Sequence, residues 1–216
     1  MKNNTATMLA FIFAALLFAI GCNNQPKERK VPEVAKIDTP KSETKLVETK
    51  PAETKRGPVI NIADTLSIKR MVLTIKDSAA TMERVSLKLA EIYGVKLAAI
   101  IKKNKLKTTG ASMAWYKGLK APYFFEAGIP VDKKPIKLTG GAYMKELGVD
   151  SIIVAHFYGP YELIPTAYDA LKDWLNDRKK SIKGTPYEIY VDDPFDAAGK
   201  PKDPYKVQTD IVFSWK

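Results

Sequence analysis

A chain of 216 residues, of which 45% are hydrophobic, is long enough to build one ordinary hydrophobic core. Its formal net charge is +11, but the 35 basic residues are dispersed and form no stripe interleaved with aromatic residues, which argues against a nucleic-acid partner. One cysteine excludes an internal disulfide, and one histidine with no cysteine near it argues against a structural metal site.

The amino-terminal segment has the pattern of an export signal. Lys2 precedes an apolar run over 8–20, which is shorter than the about 20 residues that a membrane-spanning helix needs and is typical of a secretory signal. The run ends at Gly21-Cys22, which resembles a bacterial lipobox. The resemblance implies a signal peptide over 1–21 and acylation of Cys22, with palmitate among the acyl chains. A plain secretory peptide with a coincidental cysteine is the alternative.

The segment after the cysteine is rich in Lys, Glu, Thr and Pro and contains no aromatic residue up to position 62. Such a composition cannot bury enough apolar surface to fold, so it predicts a disordered tether over 22–62 and a folded domain over 63–216. Asn23 directly after the cysteine resembles the sorting signal of outer-membrane lipoproteins. The expected location is therefore the bacterial cell envelope, with the domain lipid-anchored to the outer membrane.

The folded part is predicted to contain one unit twice. The first half has a strand at 71–75, a helix at 80–104 and strands at 110–116 and 123–131; the second has a strand at 151–158, a helix at 161–180 and strands at 186–191 and 205–215. In register, Gly110 to Tyr116 lies over Gly184 to Tyr190, with a glycine and a tyrosine at the two ends of both segments. This predicts an α+β fold of duplicated β-α-β-β units, with a mainly antiparallel sheet, both helices on one face and a ligand on the other.

The strand before Pro194 carries the main candidate residue. Alternation puts Tyr187 and Ile189 on one face, predicted to be core, and Glu188 and Tyr190 on the other. The register makes Ala114 the symmetry mate of Glu188. One acid among aromatic rings favours either a cationic aromatic ligand or general acid–base chemistry, and a solvated strand face is the alternative. We expect burial among the rings to raise the pKa of Glu188.

Four segments in the right order resemble the GyrI-like domain, which is also the effector-binding domain of AraC- and MerR-type regulators. These segments are PYEIYVDDP at 186–194, YKVQTDIVF at 205–213, YGPY at 158–161 with the helix that follows, and FFEAGIPV at 124–131. The resemblance extends from about Lys69 to the carboxyl terminus and implies the same duplicated fold, which SOUL-like proteins share. The regulators carry a helix-turn-helix domain that this sequence lacks, so a direct role in transcription is not expected.

The resemblance also implies which residues line a pocket. The family's pocket acid falls on Glu188 and its pocket tyrosines fall on Tyr161 and Tyr205. Alternation and symmetry add Tyr116 and Phe125 from the first half, and Tyr190 shares the strand face of Glu188. In the regulators the acid pairs with cationic aromatic drugs, and in enzymatic members it supports hydrolysis of cyclopropane-bearing electrophiles.

We therefore expect a membrane-tethered envelope lipoprotein whose GyrI-like domain binds small amphipathic molecules, cationic aromatic ones among them, and needs no cofactor. Two alternatives stay open: a hydrolase of reactive electrophiles with Glu188 as general base, and a protein-interaction module. His156 lies in an apolar run and is interpreted as a packed or hydrogen-bonded strand residue.

Overall fold

The computed structural model describes residues 56–216. The predicted signal peptide, Cys22 and the tether as far as residue 55 lie outside the described residues. Within 56–216, none of the helices has both the length and the apolar character needed to cross a membrane.

One antiparallel sheet of eight strands forms the framework. The strands are β1 (Val59–Leu66), β2 (Arg70–Ala79), β3 (Met113–Tyr116), β4 (Tyr123–Val131), β5 (Tyr143–Leu147), β6 (Ser151–Tyr158), β7 (Tyr187–Tyr190) and β8 (Gln208–Ser214). Their order across the sheet is β1-β6-β8-β7-β3-β4-β2-β5. Each half of this order contains the strands of one predicted repeat, so the predicted α+β fold of duplicated units is confirmed.

The pairing of β3 with β7 shows where the two halves meet. Ala114 lies directly opposite Glu188, Met113 opposite Ile189 and Trp115 opposite Tyr187. In the register predicted from the sequence, a twofold axis through the Ala114–Glu188 pair relates the other two pairs to each other. The observed pairing of β3 with β7 agrees with that register. Glu188 consequently lies at the centre of the sheet.

Two strands, β1 and β5, were not predicted, and both are edge strands. β1 pairs with β6, and β5 pairs with β2. β1 begins at Val59, inside the segment that the sequence assigns to the tether, so the tether boundary predicted at 62 is too late. The reason is that β1 is ordered by its ladder with β6 and by the packing of Ile60 on the core, neither of which its own composition reveals.

Two sets of helices cover one face of the sheet. The first helix of the repeat is α1 (Met82–Glu91), which continues through a π-helical segment (Ile92–Leu97) into α2 (Ala98–Lys103). The second is α3 (Ile164–Asp177), preceded by a 3₁₀ turn (Tyr161–Leu163). Thr81 begins α1 as a side-chain N-cap, because its hydroxyl accepts a hydrogen bond from the Arg84 amide at 3.3 Å.

The helix face contains two separate hydrophobic clusters, one under each helix. Val85 and Leu89 of α1 pack with sheet residues such as Leu73 in the first cluster. Leu171 of α3 packs with Phe213 and other sheet residues in the second. Because the clusters are separate, the centre of the sheet between them is where a cavity can form.

The face that carries Glu188 is the helix face. Ala114, directly opposite Glu188, belongs to the cluster under α1. The prediction that a ligand face lies opposite the helices is therefore wrong for the Glu188 site. The alternation along β7 was predicted correctly, but Tyr187 packs in a third cluster, with Trp115 and Val212, on the other side of the sheet. Alternation separates two faces and does not say which of them the helices cover.

Candidate functional site

A cavity of about 460 Å³ opens between the amino-terminal ends of α1 and α3. Met82, Glu83 and Ser86 line it from α1, and Tyr161 and Glu162 line it from the turn before α3. Tyr116 and Glu188 contribute from the sheet. We call this the helix-side cavity; its volume is within the range of about 300–1,000 Å³ that is usual for small-molecule sites.

Three tyrosine hydroxyls surround the carboxylate of Glu188, which is only 2% exposed. Tyr161 and Tyr190 donate hydrogen bonds to Oε2, each at 3.1 Å. Tyr168 donates to Oε1, also at 3.1 Å. The carboxylate is thus buried but hydrogen-bonded, which is the condition under which an ionised group is tolerated in a protein interior.

A second layer of tyrosines holds the first in place. The hydroxyls of Tyr116 and Tyr190 are 3.0 Å apart, and because Tyr190 donates to Glu188, Tyr116 is the donor of this pair. The ring of Tyr93 meets that of Tyr190 edge-on, with centroids 6.3 Å apart, and its hydroxyl donates to the Met113 carbonyl oxygen at 2.8 Å. The carboxylate of Glu188 therefore receives three hydroxyl hydrogen bonds, and Tyr116 and Tyr93 both contact one of the donors, Tyr190.

Opposing effects set the pKa of Glu188. Burial is the larger effect and raises it, whereas the hydrogen bonds from Tyr161, Tyr190 and Tyr168 lower it. The net pKa is about 7, above the ordinary value of 4.5 and in the direction expected from the sequence. Glu188 therefore changes charge near neutral pH.

The surrounding tyrosines remain neutral donors at that pH. The pKa values of Tyr161 and Tyr168 are raised, first by burial of the hydroxyl and then by the negative charge of Glu188. The Tyr161 side chain is nevertheless 43% exposed overall, because its ring lies at the cavity wall while its hydroxyl reaches the carboxylate. It is the hydroxyl donor that a ligand can reach most directly.

The structure brings together four of the six ligand-site residues proposed from the sequence: Glu188, Tyr190, Tyr161 and Tyr116. Phe125 is buried behind Tyr116, with ring centroids 6.2 Å apart, and does not line the cavity. Tyr205 is in a short 3₁₀ turn elsewhere, where its hydroxyl donates to the Arg56 carbonyl and its ring lies 4.6 Å from the Arg56 guanidinium. Tyr205 was predicted to line the pocket as the first residue of the last strand, but that strand begins at Gln208.

Sequence reasoning missed Tyr168, the third donor to Glu188. A signal for it exists: Tyr168 follows Tyr161 by seven residues, which is about two helical turns and puts both side chains on one helix face. It also missed the acidic rim, where Glu83 and Glu162 line the cavity. Of the residues that line this cavity, none is Lys or Arg, although the chain as a whole is strongly basic.

The symmetry-related acids Glu126 and Asp210 lie on the opposite face and do not form a joint site. Glu126 pairs with Lys145, and the Lys76 Nζ is 3.6 Å from its Oε1. Asp210 Oδ1 is 2.7 Å from His156 Nδ1. Each acid is therefore engaged by its own neighbours, and His156 is the hydrogen-bonded strand residue that the sequence suggests.

Comparisons with solved structures show the fold. The EcmrR C-terminal domain matches with a TM-score of 0.61 at 16% identity, over 73% of this chain and 98% of that domain. EcmrR in its DNA complex matches with a TM-score of 0.61 at 18% identity, over 73% of this chain and 57% of that chain. An uncharacterised conserved protein from Listeria innocua matches with a TM-score of 0.51 at 12% identity, over 75% of this chain and 93% of that protein.

No protein-family model matches the sequence, and the comparison with curated proteins finds no significant relative. The likeness to the EcmrR C-terminal domain thus shows that this chain shares the fold of that domain. What the domain binds has to be argued from the cavity itself.

Replacing Glu188 by Gln tests the raised pKa through stability. Between pH 4.5 and 7 the native state binds more protons than the unfolded state, so the unfolding free energy that Glu188 contributes falls as pH rises. We expect the stability of wild type relative to Glu188→Gln to drop by about 3 kcal/mol from pH 4 to pH 8. Urea denaturation at a series of pH values measures this difference.

Glu126→Gln is the matched control, because the pKa of Glu126 is lowered. Burial works to raise that pKa, but the hydrogen bond and charge of Lys145 and the charge of Lys76 outweigh it. The stabilisation from Glu126 is therefore present above its unfolded pKa and disappears as pH falls. The raised pKa is contradicted if the unfolding free energy of wild type relative to Glu188→Gln does not change with pH. It is also contradicted if that free-energy difference changes with pH in the same direction as the difference measured for Glu126→Gln.

Proposed function

We propose that the helix-side cavity binds small lipophilic cations, and that the ionised Glu188 carboxylate is the group that selects them. The observation that carries this proposal is an ionisable carboxylate, only 2% exposed, on the wall of a cavity that is otherwise lined mainly by apolar and aromatic side chains, with two acids at its rim. Among the described residues that line the cavity, none is a lysine or arginine that could pair with this charge. A bound cation supplies that partner and replaces the proton that Glu188 takes up near neutral pH.

The aromatic side chains add attraction that a neutral or anionic ligand lacks. Tyr116, Tyr123 and Tyr161 line the cavity, and each cation–π contact contributes about 0.5–2 kcal/mol. Glu83 and Glu162 at the rim of the cavity attract an approaching cation electrostatically. The sequence resemblance to GyrI-like effector domains supports the same ligand class.

A hydrolase remains a second candidate because of one observation. A carboxylate with a pKa of about 7 is matched to general-base catalysis at neutral pH. Tyr161, which reaches both the cavity and Glu188, would then orient a reactive electrophile. Turnover of a cyclopropane-bearing electrophile that disappears in Glu188→Gln would favour this reading over simple binding.

We also propose that the domain is held at a bacterial membrane by acyl groups on Cys22. The support is in the sequence: a short apolar run over 8–20, Gly21-Cys22 at its end and the polar segment that follows. Two or more acyl chains on one residue give stable membrane attachment. Lipophilic cations concentrate at membranes, so a cation-binding domain tethered there would act as an envelope receptor or scavenger.

Tetraphenylphosphonium and tetraphenylborate test the charge selectivity, since they have nearly the same shape and opposite charge. In titration calorimetry at pH 8 with the Cys22→Ser protein, we expect the cation to bind and the anion not to bind. Glu188→Gln should weaken cation binding by at least ten-fold, which corresponds to about 1.4 kcal/mol.

Glu126→Gln, which removes a carboxylate from the opposite face, should leave cation affinity unchanged. Equal affinity for the two ions, or a cation affinity that is the same in wild type and Glu188→Gln, would overturn the proposal that Glu188 selects the ligand.

Cation affinity should depend on pH because only ionised Glu188 attracts the ligand. We expect affinity to be constant above pH 8 and to fall as pH decreases through 7, approaching about a hundred-fold loss at pH 5. Tyr168→Phe removes one hydrogen bond to the ionised form, so it should raise the pKa and move the midpoint of the profile to higher pH. Tyr158→Phe, whose hydroxyl instead bonds Gln208, should leave the midpoint in place.

Cys22→Ser tests the anchor in a bacterial host that processes lipoproteins. We expect wild type to incorporate an alkyne-tagged fatty acid and to remain in the membrane fraction, and the variant to lose both properties. Membrane retention and labelling that persist in the variant would exclude Cys22 as the acylated residue.

A further inference from the structure

Strand β7 also contributes to a second concavity, on the face of the sheet opposite the helices. Tyr187 and Ile189 point to this face, and a groove of about 220 Å³ runs beside them. Its apolar lining consists of exposed, half-buried and buried side chains, respectively Leu66 and Ile68, Leu147 and Ile189, and Met113, Ile152, Val154 and Val212. We call it the open-face groove; it is separate from the helix-side cavity because adjacent residues of a strand point to opposite faces.

Arg70 gives this groove a positive charge that is not neutralised within residues 56–216. The side chain is half-buried and lines the groove, and it makes no ion pair with any described carboxylate. Its Nη1 lies so close to Gly110 that a Cβ there would be 2.9 Å away. Gly110 therefore leaves room for the guanidinium, and Gly110→Ala would displace it.

Tyr187, whose side chain carries a hydroxyl donor, also lines the groove. Burial raises the pKa of Tyr187, and the positive charge of Arg70 acts in the opposite direction, which shows that the guanidinium and the hydroxyl are within electrostatic reach of each other. Tyr187 is therefore a neutral donor beside a cationic donor.

The carboxylates near the groove are already engaged. Asp210 lines it but accepts hydrogen bonds from Gln208 at 2.8 Å and pairs with His156 at 2.7 Å. Asp150, whose charge also acts on Tyr187, is ion-paired with Lys183. Asp150 is thus paired with a lysine and Oδ1 of Asp210 is hydrogen-bonded, whereas the guanidinium of Arg70 makes no ion pair within residues 56–216.

We propose that the open-face groove binds a small amphipathic carboxylate. The alkyl or aryl body of the ligand lies along the accessible apolar side chains of Leu66, Ile68 and Ile189, and its carboxylate accepts hydrogen bonds from Arg70 and Tyr187. A guanidinium fork matches the two oxygens of a carboxylate better than any other side chain does. This ligand class is opposite in charge to the one proposed for the helix-side cavity.

Methyl-labelled NMR of the Cys22→Ser protein can test this inference, with octanoate as the probe and 1-octanol as its neutral counterpart. We expect octanoate to shift the methyl signals of Leu66, Ile68 and Ile189 saturably, and to leave those of Ile164 and Leu119, which line the helix-side cavity, unchanged. Octanol should bind at least ten-fold more weakly, because it leaves the guanidinium without a carboxylate.

Arg70→Met keeps the apolar stem and removes the charge, so it should weaken octanoate binding at least ten-fold and leave octanol binding unchanged. If Arg70→Met does not fold, Tyr187→Phe serves as the second variant and should weaken octanoate selectively. Glu188→Gln is the matched control and should leave octanoate affinity unchanged, which separates this site from the proposed cation site.

Equal affinity for octanoate and octanol would overturn the proposal, because the groove would then be only an apolar surface. Octanoate shifts confined to Ile164 and Leu119, or no saturable shift at any methyl group, would also overturn it. None of these results bears on cation binding, so the two proposals can fail independently.

Discussion

The burial of one ionisable carboxylate beneath a set of tyrosine hydroxyls is the constraint on which the rest of the site depends. Glu188 is kept from water by the sheet and by both helices, yet three hydroxyls, from the turn before α3, from α3 and from β7, donate to it. Burial raises its pKa and the hydroxyls limit the rise, so its charge is poised near neutral pH. A less buried acid would be ionised at all physiological pH values, and one without hydroxyls would remain neutral.

The duplicated fold explains why such an acid can be accommodated at the centre of the domain. Each repeat packs its helix on its own part of the sheet in one of two separate hydrophobic clusters, and Glu188, at the junction of β3 and β7, belongs to neither cluster. Ala114 faces Glu188 across this junction. A methyl group opposite a carboxylate keeps the junction narrow without adding a second charge, which would repel the first.

Strand β7 has only four residues, but it separates two chemically different surfaces. Glu188 and Tyr190 face the helices, and Tyr187 and Ile189 face the groove that Arg70 lines. The negative site is enclosed by aromatic rings, and the positive one lies over aliphatic side chains. Because alternate residues of a strand point in opposite directions, one short segment can serve two ligands of opposite charge without bringing the ligands into contact.

The sequence by itself determined the repeat, its register and the alternation along β7, because these follow from backbone periods of about 3.6 and 2 residues that local patterns display. It also identified Glu188 as an acid among aromatic residues, and the proposal of a lipid anchor at Cys22 rests on the sequence alone. Only the tertiary structure decided which face of the sheet the helices cover and that Tyr168 is the third hydroxyl donor to Glu188. It also decided that Tyr205 lies away from the helix-side cavity and that β1 and β5 are the edge strands of the sheet. Each of these depends on contacts between residues far apart in the chain, and no local pattern encodes them.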